Sequence, residues 1–277
     1  MSGFDLHTHT MFSDGTTTPE DNVTLALERG LEGIGVTDHD TTAPFERARA
    51  AADGTGLEVV LGTEFSAEHR GRSVHVLGYW VDPGYAPLSD ELERLRDERT
   101  DRARRIVARF NELDIAITFA RVQEIAGGAP IGRPHIAQAV VESGACADNR
   151  EVFDRYLADG GPAYVEKHAV DPVRAVELLV AAGGVTVLAH PGLYGDDDAG
   201  LDEDVVEAMA AVGLAGIEAD HPDHPDGQRR RYRDLAGRLG LQVTAGSDYH
   251  GEAKTNELGS ATTSREVVER LRTWRRA

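Results

Sequence analysis

The chain has 277 residues, enough for one large α/β domain or one domain with an insertion, and too many for a small scaffold that depends on staples. Its single cysteine, Cys146, excludes an intrachain disulfide and a thiolate zinc cluster, and with no apolar run near bilayer length a cytoplasmic protein is expected. The formal net charge of −19 repels polyanions, so a phosphate-handling site would need metals or local arginines, while the scarcity of lysine (Lys167 and Lys254) resembles proteins adapted to high salt.

The first stretch with chemical character is Asp5-Leu6-His7-Thr8-His9-Thr10, followed by Ser13-Asp14-Gly15. Strand side chains alternate with period two, so His7 and His9 share a face and can address one metal ion, with Asp14 as a hard oxygen nearby. A helix is predicted over Pro19–Arg29, with Thr18 as N-cap and Gly30 as its stop. A strand follows at Gly33–Thr37, then a helix at Phe45–Ala52, a strand at Leu57–Leu61 and another at Ser73–Trp80. Alternating strands and helices of this kind predict a largely parallel sheet. From Asp90 to Leu113 the texture becomes one long charged helix, and 120–127, 134–142 and 151–158 predict three shorter ones. The alternation resumes with helix 172–182, strand 185–189, helix 202–212, strand 215–219, helix 226–239, strand 241–245, a short strand at 258–262 and a final helix at 265–275. The predicted fold is an α/β framework formed by residues 1–87 and 161–277, with 88–160 inserted as a helical subdomain that caps the substrate.

Chemistry collects at the carboxyl ends of the strands. Strand one leads to His7, His9 and Asp14, strand two to Asp38, His39 and Asp40, and strand three to Glu64. The fifth leads to His190, the sixth to Glu218, Asp220 and His221, and the seventh to Asp248 and His250. His75 lies inside the fourth. In a parallel barrel these ends meet on one rim, where active sites are built. Histidines with Asp and Glu, and no Cys, suit manganese, iron or zinc in a hydrolytic role, and the number of ligands predicts two to three divalent ions.

His7-Thr8-His9, Thr37-Asp38-His39-Asp40, Gly62-Thr63-Glu64, Ala189-His190-Pro191 and Gly246-Ser247-Asp248-Tyr249-His250 together resemble the motifs of the polymerase and histidinol phosphatase (PHP) superfamily of phosphoesterases. The resemblance implies that the framework is a distorted, TIM-like (β/α)7 barrel with a trinuclear metal centre. One ion would take His7, His9, Glu64 and Asp248, a second would share Glu64 and use His75 and His190, and a third would use Asp14, His39 and His250. The catalytic group would be a metal-bridging hydroxide held by Glu64, Asp248 and His190.

Gly132-Arg133-Pro134-His135-Ile136-Ala137, Phe153–Leu157 and Gly161–Val165 resemble the branch that hydrolyses nucleoside 3′,5′-bisphosphates and degrades short RNA from the 5′ end. An Arg beside a Pro-opened helix N-terminus is also a phosphate clamp on physical grounds. Arg133, His135, His221 and His224 are therefore the candidate substrate contacts. The expected partner is a small phosphorylated nucleotide or a short 5′-phosphorylated RNA, with neither a membrane nor a stable protein partner implied. The alternatives are a histidinol phosphate phosphatase, a PHP-type DNA exonuclease, and a non-enzymatic metal-binding scaffold. Asp38 and Asp40 are expected to orient ligands, Asp196–Asp198 to be solvated, and Lys167 and His168 are assigned no role.

Overall fold

The computed structural model describes residues 3–127, 131–158, 160–166, 170–194 and 200–274. The chain divides into two compact units, Met1–Leu92 with Ala169–Ala277, and Glu93–His168. Seven strands, β1 (Phe4–Thr8), β2 (Gly33–Val36), β3 (Glu58–His69), β4 (Arg72–Tyr79), β5 (Val185–Leu188), β6 (Leu214–Ile217) and β7 (Gln242–Val243), form one sheet in chain order. The α-helices are α1 (Pro19–Glu28), α2 (Phe45–Ala52), α3 (Ala86–Glu112), α4 (Phe119–Ala126), α5 (Arg133–Glu142), α6 (Asn149–Val152), α7 (Pro172–Ala181), α8 (Glu203–Ala211), α9 (Asp226–Leu239) and α10 (Arg265–Trp274).

Local sequence explains the well-formed ends. Thr18 accepts a hydrogen bond from the Asp21 amide while the Asp21 carboxylate accepts one from the Thr18 amide, a reciprocal cap that starts α1 one residue before Pro19. Gly240, at φ 72°, stops α9 in the left-handed conformation that costs glycine nothing. The strands of the first unit bury Phe4, Leu6, Val60, Leu77, Tyr79 and Val187 together with Val268 and Leu271 of α10. Truncating a side chain such as Phe4, wholly buried, to alanine is expected to cost about 3–5 kcal/mol. In the second unit, Ile106, Phe110, Val122, Ile136, Val140, Val152 and Leu157 form a separate core.

The sheet departs from the parallel expectation at β4, which runs antiparallel to both β3 and β5, while the other pairs are parallel. The cause lies in the turn. Only Arg70 and Gly71 separate the paired His69 and Arg72, both with positive φ (51° and 80°), the geometry of a tight hairpin. Two residues cannot make a parallel crossover, which needs a dozen or more. β3 also runs to His69, well past the expected end at Leu61, because the hairpin partner β4 gives its outer half a ladder.

No strand forms over 258–262. Gly259 takes φ 81°, and the backbone pairing with β1 is confined to a bridge between Phe4 and Thr263, whose hydroxyl also pairs with the backbone of Ala245. A second bridge joins Thr8 to Tyr249, so the segment after β7 packs along β1. The expected helix at 151–158 is instead the short α6 followed by one wide π-turn over Phe153–Leu157.

Candidate metal centre

The reversed β4 decides where His75 goes. His75 pairs with Ser66 across the hairpin, so it shares a sheet face with Glu64, and its Nδ1 lies 2.8 Å from Glu64 Oε1. A residue early in an antiparallel strand thus reaches the rim that the parallel strands reach at their ends.

Glu64 is the hub. Its Oε2 lies 3.2 Å from His7 Nε2, 3.0 Å from His9 Nε2 and 3.2 Å from His39 Nδ1, while Oε1 lies 3.1 Å from His190 Nε2. Asp248 Oδ1 stands 3.5 Å from His7 Nε2 and 3.4 Å from His9 Nε2. On the other side Asp14 reaches His250 Nε2 at 3.2 Å, His9 Nδ1 at 3.4 Å and His39 Nε2 at 3.6 Å. Among the described residues, three groups of donor atoms are close enough to hold an ion: His7, His9, Glu64 and Asp248; His9, Asp14, His39 and His250; and His39, Glu64 and His75. His9 belongs to two of them, one through each ring nitrogen.

The donor atoms fit cations better than they fit one another. His7 Nδ1 faces Glu218 at 3.0 Å, which places its proton there and leaves a lone pair on Nε2, yet that Nε2 is only 3.1 Å from His9 Nε2. Glu64 Oε2, His39 Nδ1, His75 Nδ1 and His250 Nε2 are buried without a well-directed hydrogen bond. Buried donors and acceptors are rarely left so unless something else binds there.

The electrostatics follow the same geometry. Burial alone would push the carboxyls up, but the surrounding imidazoles outweigh it and hold Glu64, Asp14 and Asp248 well below the usual carboxylate range. Burial also opposes charge on His7, but Glu218, Glu64 and Asp248 overcome it and push the imidazole up to about 10; His9 rises for similar reasons. His39 and His250 fall, because burial outweighs their carboxylates and the neighbouring charged rings add to it.

The backbone carries strain at two of these residues. His190 has φ 25° and Asp248 φ 54°, conformations that non-glycine residues adopt only when neighbours hold them. Asp5 supplies part of that support: its carboxylate accepts the amides of Ser247 and Gly259 and the Ser247 hydroxyl. Asp38 accepts from the amide and hydroxyl of Thr10 and from Ser13, shaping the loop that presents Asp14. Asp40 accepts the Ser66 amide.

The remaining candidates separate. His221 is buried; its Nδ1 accepts the Asp223 amide, leaving Nε2–H aimed at Asp248 Oδ2, 3.6 Å away. His224 is buried and uses both nitrogens within the fold, Nδ1–H to the Ala219 carbonyl and Nε2 as acceptor for the Gly192 amide, so it ties two loops together. Arg133 and His135 stand at the start of α5 in the second unit. His135 Nδ1 accepts the Gly132 amide, and Arg133 lies 5.8 Å from the Phe153 ring and hydrogen-bonds the Leu157 carbonyl. Lys167, His168 and Asp196–Asp198 lie outside the described residues.

Two participants escaped the motif reading. Glu218 touches His7 and His190; its signal was its place at the end of a strand, two residues before Asp220. Lys254 donates to Asp248 Oδ2 at 2.5 Å, and its signal was rarity, a lysine in a chain that uses arginine almost throughout.

Comparisons agree with this geometry. The model of the PHP domain matches residues 5–157. The chain is 35% identical to a 3′,5′-nucleoside bisphosphate phosphatase of Chromobacterium violaceum over 90% of its length and 88% of the relative's. It is 32% identical to the 5′-3′ exoribonuclease Rnm of Salmonella typhimurium (92% and 88% covered) and 36% identical to a phosphoribosyl 1,2-cyclic phosphate 1,2-diphosphodiesterase of Eggerthella lenta (90% and 94%). Among solved structures, a Bifidobacterium adolescentis protein assigned as a metal-dependent phosphoesterase superposes with a TM-score of 0.84 at 35% identity, covering 99% of this chain and 96% of that one. With motifs, sheet, donor cluster and family model in accord, this chain belongs to the PHP domain family.

Proposed function

We propose that the protein is a metal-dependent phosphoesterase that removes the 3′-phosphate from nucleoside 3′,5′-bisphosphates, with 5′–3′ trimming of short oligoribonucleotides as a second capacity of the same site. The observation that carries the hydrolytic part is Glu64, whose two oxygens are ringed by five imidazoles, His7, His9, His39, His75 and His190. The nucleotide part is supported by the 35% identical bisphosphate phosphatase and the 32% identical exoribonuclease.

In this reading two to three divalent ions, manganese, iron or zinc, are held by His7, His9, Asp14, His39, Glu64, His75, His190, Asp248 and His250. Such ions supply a water of lowered pKa and positive charge for the phosphoryl oxygens. Glu64, Asp248 and His190 would hold the water that such ions activate, and the buried walls would keep bulk water away. Arg133 and His135 clamp the phosphate that is not cleaved, as Arg at a helix start suits. His221 orients Asp248, and His224 braces the loop after β5. The reaction belongs to the cytoplasm, where such nucleotides are met.

The 36% identical cyclic phosphate diesterase supports a second reading, in which the cluster opens a cyclic phosphodiester of a phosphorylated sugar. One experiment separates them. Manganese-loaded protein is assayed on adenosine 3′,5′-bisphosphate, 5′-phosphorylated RNA trimers, a ribose 1,2-cyclic phosphate and histidinol phosphate, with and without EDTA. The proposal expects fastest release of inorganic phosphate from the bisphosphate, abolished by EDTA. Preference for the cyclic ester or for histidinol phosphate would overturn the substrate class, and inertness on all four would leave a metal-binding scaffold.

A further inference from the structure

Glu218 follows the last residue of β6, wholly buried among the metal-centre histidines. Both of its oxygens face His7 Nδ1, at 3.2 and 3.0 Å, and Oε2 also accepts the backbone amide of His190 at 3.0 Å. Gly246 passes so close that a Cβ there would come within 2.6 Å of Glu218 Oε1 and 2.4 Å of His7 Cβ, so this corner is packed around the pair. We infer that Glu218 is a positioning residue that couples two halves of the metal centre, fixing the His7 imidazole from β1 and the His190 backbone after β5 with one carboxylate. The inference rests on the reading of the cluster as a metal centre.

The chemistry of the two contacts differs. At His7 the carboxylate holds the proton on Nδ1, so that Nε2 presents its lone pair toward His9 and Glu64; the opposite tautomer would turn an N–H into the cluster. At His190 the same carboxylate anchors the amide of a residue whose φ of 25° needs outside support. His190 Nε2 addresses Glu64 Oε1, whereas His7 Nε2 addresses Glu64 Oε2, so Glu218 braces donors on both sides of the hub. Loosening it should weaken more than one ion together.

The test uses the full chain stripped with EDTA and titrated with zinc, counting bound ions and affinity by calorimetry, for wild type and Glu218→Gln, with folding checked by circular dichroism. Gln keeps the volume but replaces one acceptor oxygen by an amide group. The expected result is a folded variant that binds zinc roughly 10–100-fold more weakly, at the first and second ions alike. A folded variant with wild-type affinity overturns the inference. A wild type that binds no zinc overturns the metal-centre reading, a failure visible without the variant. Should the variant not fold, nitrogen-15 imidazole NMR of zinc-loaded wild type decides: His7 with a protonated Nδ1 and a metal-bound Nε2 supports the assignment, and metal on Nδ1 refutes it.

Discussion

His7 and His9 present their Nε2 atoms to each other at 3.1 Å, with Glu64 Oε2 within 3.2 Å of both. Two imidazoles and a carboxylate converging in this way share either a proton or a cation. His7→Ala and Glu64→Ala are therefore expected to lose bound metal and to lower kcat/KM by more than about a hundredfold, beyond the usual effect of residues that merely orient ligands. Metal content per chain, measured beside activity, checks this; a Glu64→Ala protein that retains its ions and turnover would sink the site.

The pH dependence should change sign with metal. In the stripped protein burial opposes charge on His7, but Glu218, Glu64 and Asp248 outweigh it and push the imidazole up to about 10, above the 6.5 of an ordinary histidine. Its contribution to stability is then full below 6.5 and is lost as pH rises through about 10. Tm in EDTA should fall over that window. Metal binding must displace the same protons, so zinc affinity should instead increase from pH 6 to 8.5. Proton release measured by calorimetry in two buffers of different ionisation enthalpy tests the link; a pH-independent affinity would contradict it.

Gly246→Ala probes packing rather than charge. Its new methyl group would meet His7 Cβ at 2.4 Å and Glu218 Oε1 at 2.6 Å, with the His7 amide at 2.9 Å. Overpacking of this kind costs typically about 1–3 kcal/mol, and here it falls on His7 of the candidate centre and the carboxylate that faces it. Denaturant unfolding should show that loss, and zinc titration a weakened site. Unchanged values in both would mean that the neighbours yield freely.

Lys254→Met removes the ammonium that holds Asp248 Oδ2. Asp248 Oδ1 would then turn more freely away from His7 and His9, and metal affinity should fall by roughly tenfold. Direct titration reads the outcome. Tighter binding would show that the ammonium competes with metal for Asp248 rather than aiming it.

Arg133→Ala should behave differently from every ligand variant. A charge-assisted hydrogen bond to phosphate is worth about 1.5–3 kcal/mol, so kcat/KM on the bisphosphate should drop about ten- to a hundredfold while bound metal stays constant. A variant with full kcat/KM would remove Arg133 from the substrate site.

The residues of the buried cluster were legible because nearly all stood beside a strand end or a short motif, and the period of two put His7 and His9 on one face. What stayed hidden was direction. The Arg70-Gly71 turn carries no Asn-Gly or Asp-Gly signature, so strand three was ended at Leu61, the two-residue gap after His69 went unseen, and β4 read as one more parallel strand. His75 looked like an exception for the same reason, and the reversal makes it regular. Glu218, though counted at its strand end, and Lys254 were given no role for another reason: their roles lie in what they touch, His7 and Asp248, 211 residues away for one and across a turn for the other. His224 was offered to the substrate because a His in a Pro-rich loop looks exposed, whereas its two ring nitrogens are spent on Ala219 and Gly192.

The clamp between Asp5 and Ser247 spans 242 residues of sequence. A contact of that separation cannot close until both partners have left the ribosome, so β1 waits for the segment after β7. His7 and His9 emerge well before Asp248, and the cluster they share with it is complete only once that later segment has folded back along β1.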